Sequence, residues 1–335
     1  MLTFVLRRCA LLVVVLFGVS LLTFAVAHLA PGDPARLIAG PQASAEAVAH
    51  VRRDLGLDAP LWRQYALYAG RLARLDLGQS NVSGKPVLRE IAARAPASLE
   101  LMGSGLILAL ALGTPLGVWA ALKRGGLADR GVGALAVAGA AMPAFWLGLM
   151  LILLFYRELA WFPASGRFTG APPPAVTGLM TLDALLAGDP RAFETACAHL
   201  ALPTLSIALL DLGLVARLVR NQMLGVLDAE YIRTARATGL PEGRVIVDHA
   251  LRNALSPMIT VVAASLATML YGSVSVETVF GWPGAGQYVV ESIFSMDFPV
   301  IMGFAVVTSA VYVVVNLLAD LLYAAVDPRV RARGV

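Results

Sequence analysis

Charge is scarce in this 335-residue chain: Asp, Glu, Lys and Arg make up 14% of it, against 58% hydrophobic residues and a mean hydropathy of +0.75. A soluble surface carries roughly 25–35% charge, so water alone is not this protein's solvent. Lysine is nearly missing. The two present, Lys85 and Lys123, are followed by Pro86 and Arg124, so there is no Gly-x4-Gly-Lys-Ser/Thr loop to cradle nucleotide phosphates. Histidine is limited to His28, His50, His199 and His249, with no HExxH pair, and no metal site is expected. Ser104 in MGSG and Ser165 in PASG have no catalytic neighbour in sequence and read as small residues that let helices approach. An intramembrane enzyme is therefore disfavoured.

What is present is long apolar runs. A bilayer core needs roughly 20 apolar residues per helical crossing, and five runs without Asp, Glu, Lys or Arg meet that need: Cys9 to Gly32, Leu101 to Leu122, Gly131 to Tyr156, Asn253 to Val276 and Phe298 to Ala319. A sixth, His199 to Ala216, carries Pro203 and Asp211, which blur its ends. Barrel strands are about ten residues of alternating polarity, so these runs predict an all-α integral membrane protein with six transmembrane helices. Arg7, Arg8 and the AVA at 25–27 resemble a signal peptide, but the run is longer than a signal core, and an uncleaved first helix is expected. A bridge between the two cysteines, Cys9 and Cys197, would have to cross the bilayer.

Basic residues concentrate on the cytoplasmic side of bacterial membrane proteins. The N-terminus, 123–130, 217–252 and the tail together hold 14 Lys and Arg, whereas 277–297 holds Glu277, Glu291 and Asp297 and no base. Both termini are thus expected in the cytoplasm of a bacterial inner-membrane protein. An ion-driven carrier would show several charges within its spans and an internal repeat. Asp211 stands almost alone. A mid-span carboxylate costs roughly 2.5–3.5 kcal/mol on insertion scales, so Asp211 is expected at a subunit interface, a water-filled vestibule or the translocation pathway.

The outer segment opens with PGDP, which stops the first helix. Ser44 with Glu46 starts one short helix, and another follows Asp58 and Pro60, with Leu61, Tyr65, Tyr68 and Leu72 on one side. This segment reads either as a solvated cap or as a docking surface for an external partner. The 157–198 connection, with APPPA, reads as irregular. In ETVFGWPGAGQ (277–287), a tight turn with Phe280 and Trp282 suits a re-entrant or interfacial loop, with Trp282 at the headgroups.

One stretch is polar and basic between two apolar runs: EYIRTARATGLPEGRVIVDHALRNALSP, 230–257. Gly239 ends a first short helix, and Pro241 with Glu242 starts a second. The first helix is expected to continue span four and the second to lead into span five. A helix-turn-helix fixed to two membrane spans cannot enter a DNA groove, so no nucleic acid is expected. Lipid contact explains the arginines but not the break at TGLPEG. Two short helices fixed to different spans suit transmission of a partner's movement.

This stretch resembles the coupling loop of membrane subunits of type I ABC importers, in the peptide-importer branch. Ala235 and Gly239 match the Glu-Ala-Ala-x3-Gly pattern, while Arg233 and Thr234 replace its Glu and Ala and Arg252 stands where proline is expected. LLTFAVAHLAPGDP, LGLDAPLWRQYALY, ETVFGWPGAG and NLLADLLYAAVDPR extend the likeness along nearly the whole chain, most to the first permease subunit of dipeptide transporters; oligopeptide, glutathione, nickel and haem-precursor importers have similar subunits. The resemblance implies a division into 1–30 (first helix), 31–97 (periplasmic helical segment), 98–326 (helices 2–6, with the coupling loop at 221–256) and a 327–335 tail. It also implies a homologous second permease subunit, two ATPase subunits carrying ATP and Mg, and a periplasmic substrate-binding protein. Arg233, Thr234, Ala235, Arg236, Gly239, Leu240, His249 and Arg252 would face the ATPases. Glu277, Trp282, Pro283, Gly284 and Gly286 would lie on the binding-protein side.

Overall fold

The structure, a computed structural model, describes residues 2–29, 33–40, 42–255 and 258–326. All regular structure among these is helical, apart from one isolated bridge between Gln79 and Pro86. The tail at 327–335 and residues 256–257 lie outside the described residues.

Among the described residues the expected apolar runs are helical, with different bounds and with one run broken. α1 is Leu2–Leu29, α5 is Val87–Leu122, α9 is Pro190–Leu227, α13 is Met258–Val279 and α15 is Phe298–Val326. By length and composition, Val87–Leu122, Pro190–Leu227 and Phe298–Leu318 are long and apolar enough to cross a membrane. The third expected span is broken into α6 (Leu127–Ala141), α7 (Ala144–Leu151) and a π-helical turn, Ile152–Glu158; it makes a fourth crossing if the bent pair is counted as one. The break has a local cause. Pro143 offers no N–H and pushes the residue before it out of the helical region, and Met142 is accordingly extended, at φ −90° and ψ 128°.

By contact, the chain forms two compact units, 1–98 with 283–314 and 99–282 with 315–335. In the first, α1 is followed by α2 (Pro34–Ala39), α3 (Ala45–Leu55) and α4 (Leu61–Ala73). Ser44 caps α3 as its position predicts, accepting from Ala47 N. Val87, Ile91, Tyr288 and Val300 form an apolar cluster where the start of α5 meets α14 (Ala285–Phe294) and α15. Asp297 is buried beside it. Its carboxylate accepts from the Ser80 hydroxyl at 2.6 Å and Asn81 N at 3.1 Å, which accounts for a buried acid in a loop that sequence alone reads as merely acidic.

The second unit is organised around α9. At 38 residues this helix is about 57 Å long, more than a bilayer core, and much of its apolar length, from Leu202 to Val219, is buried within the chain. It begins nine residues before the expected His199. Asp189 caps it by accepting from Arg191 N and Ala192 N, and Pro190 takes the first position, where a missing N–H is harmless. Cys197 therefore lies inside the helix. Pro203 does not end it, because the neighbours hold it: α8 (Met180–Leu186), α6, α7 and α13 all pack against α9. Gly213 permits the tightest approach. A Cβ there would stand 2.3 Å from Ala136 Cα, a backbone atom that cannot yield. Asp129 at the start of α6 takes both ends of a bidentate pair with Arg220 of α9, tying the two helices together.

Candidate functional site: elbow, cavity and outer loop

The elbow follows α9 after Asp228 and Ala229. Ala229 is extended, at ψ 147°, so the first short helix, α10 (Glu230–Ala237), is a separate element and not the continuation of span four that the sequence predicts. Ile232 and Ala235 of α10 are buried in a cluster with Val215, Val219 and Met223 of α9. Full burial of one such side chain contributes about 1.5–3 kcal/mol, so the elbow is anchored and does not dangle. Gly239 follows with φ +81°, the left-handed conformation that ends a helix. Open space surrounds it, so its backbone, not a tight fit, asks for glycine.

After the turn come α11 (Glu242–Arg244), a π-helical segment (Val245–Leu251) and α12 (Arg252–Ala254). The wider π turn changes which residues share a face. An α-helical register places Val245 beside His249, whereas the structure buries Val245 with Ala250 and Ala254 and leaves His249 partly exposed. Arg233, Thr234, Arg236, Gly239 and Arg252 are exposed, Leu240 is half-buried, and Ala235 is not available to a partner. Arg236 is engaged within the chain. Its guanidinium donates to both Glu242 oxygens, at 3.2 and 2.7 Å, closing a staple across the turn. That hydrogen-bonded pair lowers the Glu242 pKa and raises that of Arg236.

Asp211 is buried on α9 and lines a cavity of about 650 Å³ bounded by α6, α9 and α13. Thr268 of α13 is its polar neighbour, and Arg217 lines the same cavity. Asp211, Arg217 and Thr268 are the polar members of a lining that is otherwise Ala, Val, Gly, Ile, Leu and Met.

At the other end of this unit, the irregular 159–179 segment is clamped by a network the sequence reading missed. Arg167 donates through Nε (3.1 Å) and Nη2 to Glu100 of α5 and through Nη2 to Gly178 O (2.7 Å). The second Glu100 oxygen accepts from Thr181 N and Oγ1 of α8. His199 of α9 faces two carbonyls, Ser165 O and Gly166 O, through Nδ1, so Nδ1 carries the proton; Nε2 meets Thr169 Oγ1 at 2.7 Å. A lone acid just before the apolar run at 101 was the available signal for Glu100.

This clamp covers the turn after α13. Trp282 is buried, 1% exposed, with the Arg167 guanidinium 5.6 Å from its ring centre, and Phe280 packs against Gly148. Trp282 therefore does not sit at headgroups as the sequence predicts, because a cation and a folded loop lie over it. Glu277, Gly284 and Gly286 are also buried; of the five residues expected on the binding-protein side, only Pro283 is exposed.

Comparison with known families settles what kind of protein carries this arrangement. Residues 113–332 match the family described as binding-protein-dependent transport system inner membrane component, and residues 1–102 match its N-terminal counterpart. The chain belongs to this family. It is a multi-pass membrane transport component and not an enzyme. The chain is 49% identical to the probable D,D-dipeptide transport system permease protein DdpB of Escherichia coli K12, covering 98% of this chain and 97% of that one. It is 42% identical to the dipeptide transport system permease protein DppB of the same strain, covering 99% of each. The glutathione transport system permease protein GsiC of Escherichia coli O6:H1 is 38% identical, again over 99% of each.

Proposed function

We propose that the chain is one membrane half of an ATP-driven importer of dipeptides or short peptides, working with a homologous second permease subunit, two ATPases and a periplasmic binding protein. The observation that carries this reading is the end-to-end likeness to dipeptide permeases, which exceeds that to the glutathione permease. The basic loops support six crossings with both termini and the elbow in the cytoplasm, and the division into 1–30, 31–97, 98–326 and 327–335 is part of the same proposal.

The cavity supports a zwitterionic cargo. Asp211 and Arg217 are six residues apart on α9, about 9 Å along the axis, and an extended dipeptide spans about 7 Å. Its amine pairs with the Asp211 carboxylate and its carboxylate with the Arg217 guanidinium. The elbow receives the ATPase through its exposed face, Arg233, Thr234, Gly239 and Arg252, with Leu240 and His249 at the edge. ATP and Mg reside on those partners.

The test is uptake into proteoliposomes holding the assembled importer. ATP-dependent accumulation of a labelled dipeptide, displaced by unlabelled dipeptide far better than by glutathione, is expected. Preference for glutathione, or accumulation without ATP, overturns the reading.

A further inference from the structure

α4 is built inside out. Gln64, the least exposed residue of this helix, donates through its side-chain amide to Leu57 O and Ala59 O and bonds His28 of α1 through its carbonyl oxygen. The Tyr65 and Tyr68 hydroxyls meet Ser20 and Thr23 of α1 at 2.8 and 2.9 Å. Arg71 donates to Asp54 O. The outward face is instead Leu61, Trp62, Ala66, Leu67, Gly70 and Ala73, with Arg63 as its one charge. Trp62 is 73% exposed and Leu61 62%. The sequence pattern that puts Leu61 with the two tyrosines is thus split: the tyrosines face α1 and Leu61 faces away.

The level of α4 along α1 says what that outward face meets. The Tyr65 ring lies between Phe17 and Phe24, with centroids 5.8 and 5.4 Å away. Both phenylalanines fall inside the apolar stretch Ala10–Val26. That stretch turns Val13, Val14, Phe17 and Leu22 outward, each more than half exposed, the surface of a helix immersed in lipid. Phe17 and Phe24 lie near the middle of the charge-free run 9–32, so Tyr65 is level with the acyl region. Ser20 and Thr23 donate to carbonyls of α1 itself, so the tyrosine hydroxyls of α4 are the groups that gain partners here, donating to Ser20 and Thr23 within the apolar stretch.

We propose that α4 lies within the bilayer, in the leaflet at the Leu29 end of α1, with its outward face seated on lipid acyl chains as a continuation of the lipid-facing surface of α1. Its polar groups are satisfied inward by α1 and by the chain entering α4. Arg63 reaches along the helix toward the headgroups, its aliphatic stem in the apolar layer. The 31–97 segment is then neither a wholly solvated cap nor, along α4, a docking surface for a soluble partner.

Spin labels test this in the assembled importer in lipid nanodiscs, with Cys9 and Cys197 replaced by serine. Labels enter singly through Trp62→Cys, Leu67→Cys, Val14→Cys on α1 as the lipid reference and Glu46→Cys on exposed α3 as the aqueous reference. Relaxation by oxygen and by a water-soluble nickel chelate is then compared. The oxygen-to-nickel ratio at 62 and 67 is expected to approach that at 14 and to be severalfold above that at 46. Ratios at both sites like that at 46 mean the face is in water and overturn the proposal. Low access to both relaxants means a protein covers the face, which also overturns it. Trp62 and Leu67 are both exposed, so labelling leaves α4 intact; recovery of the labelled complex at wild-type yield confirms this before the ratios are compared.

Discussion

In the proposed function, cargo recognition turns on Asp211. Asp211→Asn keeps size and hydrogen bonding, so membrane insertion is expected to be unchanged. A charge-assisted hydrogen bond contributes about 1.5–3 kcal/mol, so uptake of dipeptides with a free amine should fall about ten- to a hundredfold at limiting substrate, with a smaller loss for N-acetylated dipeptides at equal delivery. Equal losses leave Asp211 a packing role only. Glu100 belongs to stability. It is buried and accepts from Arg167 and Thr181, so Glu100→Ala strands the Arg167 guanidinium over Trp282. Breaking a buried pair costs about 3–5 kcal/mol. A lower Tm in detergent and faster proteolysis within 159–179 are expected, and unchanged melting would show the clamp to be dispensable.

At the scale of elements, the elbow is a shape held by two devices. One is the left-handed backbone at Gly239. Any side chain there strains the turn by about 1–2 kcal/mol, and Gly239→Arg also places bulk and charge on the exposed face. Normal insertion with ATPase activity no longer stimulated by loaded binding protein is expected; retained uptake would remove the elbow from the coupling path. The other is the Arg236–Glu242 staple. Arg236→Glu should weaken coupling, and the swap Arg236→Glu with Glu242→Arg should restore it, because the pair acts within the chain. Failure of the swap would assign Arg236 to the ATPase contact. Glu242 has a lowered pKa in the fold, so the staple's contribution is present above the ordinary carboxylate range and is lost as pH falls through that lowered value. The penalty of the single variant should accordingly shrink in acid.

For the whole molecule, the elbow and the 159–179 segment must lie on opposite sides of the membrane if the helix order is threaded as proposed. In a cysteine-free background, Val176→Cys, on a residue 73% exposed, should react with an impermeant maleimide in spheroplasts. Arg233→Cys should react only after permeabilisation. Labelling of position 233 from outside would overturn the topology. The glycine-tight contacts around α9, at Gly213 on it and at Gly105, Gly113 and Gly117 of α5, belong to the same scale, since they set how closely neighbouring helices pass.

Sequence by itself determined the solvent, the helical class and the stop at Gly239, because each rests on local chemistry. Charge-free runs demand lipid, Gly239 ends α10 through its own backbone, and Ser44 caps its own turn. The elbow was legible for the same reason, down to the glycine. What only tertiary structure decided was the company each side chain keeps. Trp282 is buried because Arg167, 115 residues earlier, folds over it; Val245 joins Ala250 because a π turn forms between them; and α9 continues through Pro203 because four helices pack around it. Tyr65 and Tyr68 look like one amphipathic stripe with Leu61 until α1 supplies hydroxyls for them and leaves Leu61 outside. Such pairings join residues far apart in the chain, and the free energy that selects them comes from desolvation and hydrogen bonding across helices, which no local pattern records.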